Sequence, residues 1–221
     1  MGIDLHEVNG AKVFDNKVTK SSSDGIGVPG EVWEDEIVYS TQIEIYKNTV
    51  MDNGEQGIWA IAGKDINIHG NVIYCTNRCF TGCSGVFFEW GVSDSQVYNN
   101  KIIGRGDEHN GITIKNSYSN RITDNTIKNI GTGIFIEEVE VRQSIGDHDT
   151  VLEYVAPVNN VIANNEIDAG EFMVIDNDNN IVENNLNRRE SKIKALIFGS
   201  ILLGLSAIIL LISYLVRKRK L

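Results

Sequence analysis

The chain has 221 residues, 30 of them acidic and 20 basic, and its formal net charge is −10 at neutral pH. Eight basic residues and one acidic residue follow Asn187, so residues 1–187 hold 12 basic and 29 acidic residues and a formal charge near −17. A surface this acidic repels phosphate backbones, which excludes nucleic acid as a partner. It also disfavours polyanionic sugars unless divalent cations mediate the contact.

The chain opens on Gly2-Ile3-Asp4-Leu5, a pattern that recurs downstream as Gly followed by alternating apolar and polar residues. The later copies begin at Gly25, Gly57, Gly85, Gly111 and Gly133. Alternation such as that of Ile112–Lys115 (ITIK) is the period of a strand and not of a helix. Because no strand precedes Gly2, we expect an incomplete first coil, with Met1 as an internal start or the chain as a fragment of a longer protein.

A six-residue phrase is repeated seven times: an aliphatic residue, two variable residues, Asn, one variable residue and a second aliphatic residue. The copies are VFDNKV (Val13–Val18), IYKNTV (Ile45–Val50), IHGNVI (Ile68–Ile73), VYNNKI (Val97–Ile102), ITDNTI (Ile122–Ile127), IANNEI (Ile162–Ile167) and IVENNL (Ile181–Leu186). One unit repeated at intervals of roughly 20–40 residues predicts a solenoid of stacked coils. Stacking would align the shared Asn side chains in a structural ladder, each amide bonding its neighbours above and below. The predicted ladder residues are Asn16, Asn48, Asn71, Asn100, Asn125, Asn165 and Asn184.

The alternation also places side chains on the outside of successive coils. If Ile112 and Ile114 face the core, two outward columns result. One consists of Trp59, Phe87, Thr113 and Phe135, and the next consists of Ile61, Glu89, Lys115 and Glu137. Aromatic rings stack on the apolar faces of sugars and carboxylates accept hydrogen bonds from sugar hydroxyls, so the pattern predicts a glycan-binding strip. Its predicted ligand-binding residues are Trp59, Phe87, Phe135, Glu89 and Glu137.

Two further interpretations of these columns stay open. Neighbouring coils lie about 4.8 Å apart, so Glu89 and Glu137 would be roughly 10 Å apart with Lys115 between them. An inverting glycosidase uses two carboxylates about 6.5–9.5 Å apart, which makes these three residues the catalytic candidates if the protein is an enzyme. Alternatively, the three charges form a surface ladder, and the rings are covered by an insertion that runs from about Glu137 to Val158.

Metal-binding patterns are weak. Cys75, Cys79 and Cys83 lie in one turn, and their spacing differs from the C-x2-C of zinc sites. We expect a disulfide with a spare thiol, or buried free thiols, since a metal would need a fourth ligand such as His69. Asp176–Asn180 looks like the start of a calcium loop but lacks the later Gly and Glu of an EF-hand. We therefore predict no metal site and no cofactor, with calcium left open.

The C-terminal region carries a second strong pattern. Residues 195–216 form an uncharged, apolar run that at about 1.5 Å per residue spans the roughly 30 Å core of a bilayer. We predict one transmembrane α-helix there, with the lipid bilayer as partner, a basic linker over residues 188–194 and a basic tail over residues 217–221. Each flank holds four basic residues, so the positive-inside rule does not assign the orientation. The absence of a signal peptide indicates a cytosolic tail-anchored protein if the chain is complete.

The stretch NGITIKNSYSNRITDNTIKNIGTGIFI (Asn110–Ile136) resembles the repeats of right-handed parallel β-helices of the pectin-lyase-like superfamily, and is most similar to NosD-type repeats. The resemblance covers residues 2–187 and implies an all-β solenoid, joined here to one C-terminal transmembrane helix. Such domains include polysaccharide lyases, glycosidases, alginate epimerases, adhesins and inactive proteins, so the resemblance does not assign a function. It favours an extracytoplasmic β-helix with the basic tail inside the cell. The copper role of NosD is not carried over, because dense Met and His clusters are missing.

The catalytic motifs of related enzymes are incomplete. Ser23–Ile26 resembles part of one polygalacturonase motif and Ile114-Lys115 the end of another, but the paired Asp and the Gly-His-Gly are missing. The Asp-Pro-His motif of alginate epimerases is missing too, although upstream coils could hold such residues. We predict a membrane-anchored surface module, with non-catalytic glycan binding or envelope scaffolding as its role. The alternatives are an anchored glycosidase or lyase and a repeat protein that binds another surface protein.

Overall fold

The computed structural model describes residues 1–33, 36–75, 83–106, 108–139, 142–145, 148–151 and 156–190. Residues 1–186 form one compact unit, and the second unit, residues 187–221, is described only over residues 187–190, of which 188–190 are helical. The predicted transmembrane helix and basic tail lie outside the described residues. Within the described ranges, no helix has the length and apolar character needed to cross a membrane.

Each coil of the first unit runs through three short parallel strands, one on each of three faces. The first face consists of β2 (Asn9–Phe14), β7 (Ser40–Tyr46), β10 (Gly63–His69), β13 (Gln96–Tyr98), β16 (Arg121–Thr123), β20 (Val161–Ala163) and β22 (Ile181–Glu183). The second face consists of β3 (Lys17–Thr19), β8 (Thr49–Met51), β11 (Val72–Tyr74), β14 (Lys101–Ile103), the first halves of β17 (Thr126–Glu137) and β21 (Glu166–Ile175), and β23 (Leu186–Asn187). The third face consists of β1 (Ile3–Asp4), β4 (Ile26–Pro29), β9 (Ile58–Ile61), β12 (Ser84–Glu89), β15 (Asn110–Lys115) and the second halves of β17 and β21.

This arrangement is the parallel β-helix that the repeats predict. The first strand, β1, pairs with β4 through Ile3 and Ile26, so the chain enters on the third strand of a coil, as expected from Gly2–Leu5. Two antiparallel hairpins follow third-face strands: β5 (Glu31–Trp33) with β6 (Glu36–Val38), and β18 (Arg142–Ile145) with β19 (His148–Val151). The second hairpin lies in the predicted insertion.

The core is built from columns of inward aliphatic residues in strict register. On the third face Val86 pairs with Ile58 and with Ile112, which in turn pairs with Ile134, and all four are fully buried. Equivalent columns of Ile and Val line the other two faces and join them in a single cluster. Full burial of an aliphatic side chain contributes about 1.5–3 kcal/mol, so these columns are the main stabilising term.

A column of glycines lies at the start of the third-face strands, because the neighbouring coils leave no space for a Cβ atom there. A Cβ atom on Gly85 would lie 2.5 Å from Cγ2 of Ile102 and 2.8 Å from the carbonyl oxygen of Gly111. Real Cβ atoms do not approach other atoms this closely, so the coil can pass this corner only without a side chain.

The Asn side chains form the predicted ladder at the corner between the first and second faces. The Nδ2 of Asn48, for example, donates to Oδ1 of Asn71 (3.1 Å) and to the carbonyl of Val13 (2.8 Å), which satisfies a fully buried amide. The ladder runs through Asn16, Asn48, Asn71, Asn100, Asn125, Asn165 and Asn185.

The seventh predicted ladder position, Asn184, is wrong. Asn165 donates to Oδ1 of Asn185, while Asn184 has a left-handed backbone (φ 54°) and occupies the turn position just before the ladder. The physical reason is the register of β22, in which Ile162 pairs with Val182 and not with Ile181. The sequence favoured the alignment on Ile181, because the register that the structure adopts places Asn187, and not an aliphatic residue, at the sixth position of the phrase.

A second polar ladder, which the sequence analysis missed, lies five residues upstream of the first. Backbone N–H groups donate to the next side-chain oxygen in the series Ser95, Asn120, Asn160 and Asn180. Asn180 ends the segment that looks like a calcium loop, and Asn179 donates its N–H to Oδ1 of Asn177 within that segment. These side chains are therefore engaged in turn geometry.

Candidate functional site

The structure places the predicted outward columns side by side on the third face. Phe87 pairs with Trp59 on one side and with Thr113 on the other, and Thr113 pairs with Phe135. In the adjacent column Glu89 pairs with Ile61 and Lys115, and Lys115 pairs with Glu137. We refer to these eight residues as the third-face strip. The strand alternation thus gave the register of the strip correctly.

The aromatic rings of the third-face strip do not stack on one another. Trp59, Phe87 and Phe135 are each half-buried and make no ring–ring contact with another described aromatic residue. The indole Nε1 of Trp59 donates to Oε2 of Glu89 at 3.0 Å, a diagonal contact between β9 and β12. This bond fixes the indole and leaves the other oxygen of Glu89 as an acceptor.

Thr113 interrupts the aromatic column with a small, buried side chain. Its exposed fraction is 4%, and its Oγ1 lies 2.7 Å from Oγ of Ser84 and accepts from Nδ2 of Asn110 at 3.2 Å. Phe87 and Phe135, two strands apart, therefore flank a position one strand wide where no large side chain projects. Because Thr113 is covered, a ligand on this column would contact the exposed parts of Phe87 and Phe135 and not the threonine.

The three charges of the strip do not pair with one another. Among the ion pairs of the described residues, none joins Lys115 to Glu89 or Glu137. The surface-ladder interpretation needs those pairs. Strand spacing puts the two carboxylates about 10 Å apart, just beyond the range that suits an inverting glycosidase. The row can offer two acceptors and one donor to the hydroxyls of a ligand.

The remnant of the polygalacturonase motif has a structural role. Asp24 is 4% exposed, and its carboxylate accepts from the N–H of Gln56 (2.9 Å) and from Oγ of Ser23 (3.3 Å). Burial raises the pKa of Asp24, and the nearby charge of Glu55 adds to that effect. The Asp24 carboxyl links the turn before β4 to the turn before β9, and Asp24 does not belong to the third-face strip.

The first face carries a stack of rings that the sequence analysis missed. Phe14, Tyr46, His69 and Tyr98 lie on four successive coils, with centroid separations of 5.1, 5.3 and 4.7 Å and interplanar angles of 3–11°. All four occupy the second position of the repeated phrase, so the signal was present in VF, IY, IH and VY. We call these four residues the ring stack.

A charged network lies beside the ring stack. Oε2 of Glu44 lies 2.6 Å from Nζ of Lys12, and Oε1 of Glu44 lies 3.2 Å from Nε2 of His69. The hydrogen bond from Lys12, followed by that from His69, lowers the pKa of Glu44. Both contacts therefore favour the ionised form of Glu44.

The described residues that could hold a metal lie elsewhere. His6, Glu7 and Glu31 bring three potential ligand atoms within 4.8 Å of one another, with Nε2 of His6 at 2.8 Å from Oε1 of Glu31. All three side chains are substantially exposed, and surface groups of this kind are common without an ion. We assign no metal to them.

Among the described residues, Cys75, Cys83 and His69 do not form a metal-binding group. Cys75 is a buried free thiol whose pKa is raised to about 12 by burial, and Cys83 is disulfide-bonded. His69 stacks between two tyrosines on the first face. Cys79 lies outside the described residues.

Comparison with solved structures finds the same fold in polysaccharide epimerases. The periplasmic alginate epimerase AlgG is similar with a TM-score of 0.61 and 19% sequence identity, over 83% of this chain and 41% of that chain. A mutant of AlgG gives 0.50 and 18%, over 83% and 46%. The A-module of the Azotobacter vinelandii mannuronan C-5 epimerase AlgE4 gives 0.49 and 17%, over 80% and 53%.

At these identities the similarity shows the fold alone. The chain spans about two fifths of the length of the AlgG structure. A family match extends over most of the parallel coils, because residues 1–153 fit the family described as right handed beta helix region. The chain is therefore a member of the right-handed β-helix family.

Proposed function

We propose that this protein is a glycan-binding β-helix module whose ligand lies along the third-face strip. The observation that carries the proposal is the register of Trp59, Phe87 and Phe135 beside Glu89, Lys115 and Glu137. Rings separated by a small residue offer apolar surface to the faces of sugar rings, and the charged row lies one column away for their hydroxyls.

Preorganisation supports binding at this face. The bond from Trp59 to Glu89 holds a ring and an acceptor in one geometry before a ligand arrives, which lowers the entropic cost of binding. Trp59, Phe87 and Phe135 are each partly exposed and make no ring–ring contact with another described aromatic residue, so part of each ring is available to a ligand. A ligand that follows the solenoid axis would contact the exposed part of one ring and then that of the next.

The similarity to AlgG supports a polysaccharide as the ligand class. That enzyme acts on alginate, a polyanion, whereas this chain is strongly acidic and lacks the Asp-Pro-His motif. We therefore infer binding of a polysaccharide without epimerisation. A neutral chain is favoured over a polyanionic one, and calcium is the ion that would mediate contact with a polyanion.

We infer further that the module is displayed at a membrane surface. Residues 195–216 would anchor the chain in the lipid bilayer, with the NosD-like β-helix outside the cell and the basic tail inside. The tail-anchored cytosolic arrangement is the alternative. Protease protection of the full chain in intact cells separates these topologies, since only an external β-helix is digested.

The first test is a glycan-array experiment on the full chain with and without calcium, followed by titration of any glycan that binds. Trp59→Ala should lower affinity about tenfold through loss of the stacking face, and Glu89→Gln should lower it several-fold. Tyr74→Ala, an exposed aromatic on the second face, is the matched control and should bind as the parent protein does.

The outcomes separate the alternatives. Absence of saturable binding in every condition, or equal binding by the Trp59 and Tyr74 variants, would remove the third-face strip as the site. Shortened or altered glycan products after incubation would favour the enzyme, and loss of turnover in Glu89→Gln and Glu137→Gln would assign its carboxylates.

A further inference from the structure

The first face contains a polar groove that the proposed function does not use. It has a volume of about 660 Å³ and crosses β2, β7 and β10. Its polar lining residues are Lys12, Gln42, Glu44, Asp65 and Asn67. The volume falls within the range of about 300–1,000 Å³ that is usual for small-ligand sites.

The shape of the groove follows from the backbone. Gln42 and Asp65 both have left-handed backbones (φ 56° and 55°), as does Gly10 on the preceding coil (φ 80°). The strands therefore bend at the same place on three coils. Two residues further on, Lys12, Glu44 and Asn67 lie in register across the same coils. The groove runs along the solenoid axis between these two columns.

Much of the hydrogen-bonding capacity of the groove is not used by contacts among the described residues. The side-chain amides of Gln42 and Asn67 have no hydrogen-bond partner among the described residues, so each offers two donors and an acceptor. Glu44 receives one bond on each oxygen, which leaves acceptor capacity on both. Lys12 cancels the charge of Glu44, and Asp65 leaves the groove with a net charge of about −1. A ligand with several hydroxyls and no negative charge fits this set.

The ring stack makes the groove rigid. His69 is held between Tyr46 and Tyr98 at centroid distances of 5.3 and 4.7 Å, and it bonds to Glu44 from that fixed position. The acceptor at the centre of the groove is thus positioned by two rings and one lysine. Phe14, on β2, is the fourth ring of the stack and lies against Tyr46 at 5.1 Å.

We propose that the first-face groove is a second saccharide site, which binds a segment of a neutral oligosaccharide through Glu44, Asn67, Gln42 and Lys12. The proposal stands on the groove itself and does not depend on the third-face strip. Hydroxyls donate to Glu44 and accept from Lys12 and the amides. Two sites on different faces make the module bivalent toward a polysaccharide, which raises its avidity.

The test is a titration of the full chain with maltohexaose, cellohexaose and xylohexaose, compared with a mannuronate hexamer as the anionic probe. The imidazole proton signals of His69, assigned with His69→Asn, report on this groove by NMR. We expect a saturable shift with at least one neutral probe. Asn67→Ala, whose side chain bonds to no described residue, should lower affinity about fivefold to tenfold, and Glu44→Gln about tenfold. Arg121→Gln is the control, since Arg121 lies in the same outward column two coils away.

Three results would decide the proposal. A His69 shift that weakens in Asn67→Ala and persists in Trp59→Ala supports a first-face site. Binding that is lost in Trp59→Ala and unchanged in Asn67→Ala overturns it and places the ligand on the third-face strip. A flat His69 titration with all neutral probes also overturns it, whatever the glycan array finds for the third face.

Discussion

The first and third faces each carry a column of aromatic residues in register, on four successive coils of the first face and on three of four coils of the third, yet the rings are used in opposite ways. On the first face Phe14, Tyr46, His69 and Tyr98 cover one another and present their edges to solvent. On the third face Trp59 is held by a hydrogen bond to Glu89, and Thr113 separates Phe87 from Phe135. Alignment of aromatic residues in a solenoid therefore does not by itself produce a stack, because Trp59 and Phe87 are neighbours in register and still make no ring–ring contact.

The difference changes what each face can contribute to binding. In a continuous stack the ring faces contact one another, so they stabilise the fold and the stack can only form the rigid wall of a neighbouring groove. An interrupted column keeps its ring faces for a ligand at the cost of that stacking energy, about 0.5–1.5 kcal/mol per pair. The polar partners follow the same division: Glu44 is bonded on both oxygens, whereas Glu89 is bonded on one.

The largest expected effect comes from a substitution in the glycine column of the third face. In Gly85→Ala the new methyl group meets Ile102 and the backbone of Gly111, and we expect a loss of about 3 kcal/mol in the free energy of unfolding. Gly70→Ala is the control, since Gly70 has a left-handed backbone (φ 63°) and open space around it, and should cost about 1–2 kcal/mol. Urea unfolding measures both. Equal losses would mean that contact with the next coil does not dictate the glycine column.

The second prediction tests whether the ring stack acts as a column. His69→Ala removes two ring contacts and the bond to Glu44, so we expect a loss of about 2 kcal/mol, against about 1 kcal/mol for Phe14→Ala, which removes one contact from the end of the stack. Thermal unfolding followed by near-ultraviolet circular dichroism reports the loss together with the signal of the stacked tyrosines. If the end variant costs as much as the middle one, the stack is not additive.

The structure could be predicted best from the sequence where the strand alternation allows only one alignment. Trp59, Phe87 and Phe135 could be placed in one column because each follows a Gly and an aliphatic residue directly, as in Gly57-Ile58 and Gly85-Val86. The prediction failed in the last coil, where the repeated phrase fits Asn184 but the pairing of Val182 with Ile162 places Asn185 in the ladder.

Contacts between coils were harder to predict than columns. The bond from Trp59 to Glu89 runs diagonally, and its formation depends on two side-chain conformations that spacing does not encode. The first-face groove depends on left-handed bends at Gln42 and Asp65, neither of which is Gly or Asn, the residue types that signal such a bend.

The smallest expected effect is on stability at low pH, where the carboxyl groups of Glu44 and Asp24 should act in opposite directions. The pKa of Glu44 is lowered in the folded protein, so its contribution to stability is present above its unfolded pKa, near 4.5, and is lost as the pH falls through the lowered value. The pKa of Asp24 is raised above 3.8, so its buried charge destabilises the fold near neutrality, and that penalty is relieved as the pH falls through the raised value.

Two conservative variants separate these terms. Asp24→Asn keeps the oxygen that accepts from Gln56 and removes the charge, so it should melt above the parent protein at pH 7, with the difference shrinking toward pH 3. Glu44→Gln should melt below the parent at pH 7, and that deficit should also shrink as the pH falls through the lowered pKa of the parent carboxyl. Thermal unfolding of the three proteins from pH 3 to pH 7 gives both differences. If both variants shift the melting temperature in the same direction at pH 7, one of the two carboxyls has been assigned the wrong environment, because burial and pairing act on a carboxylate with opposite signs.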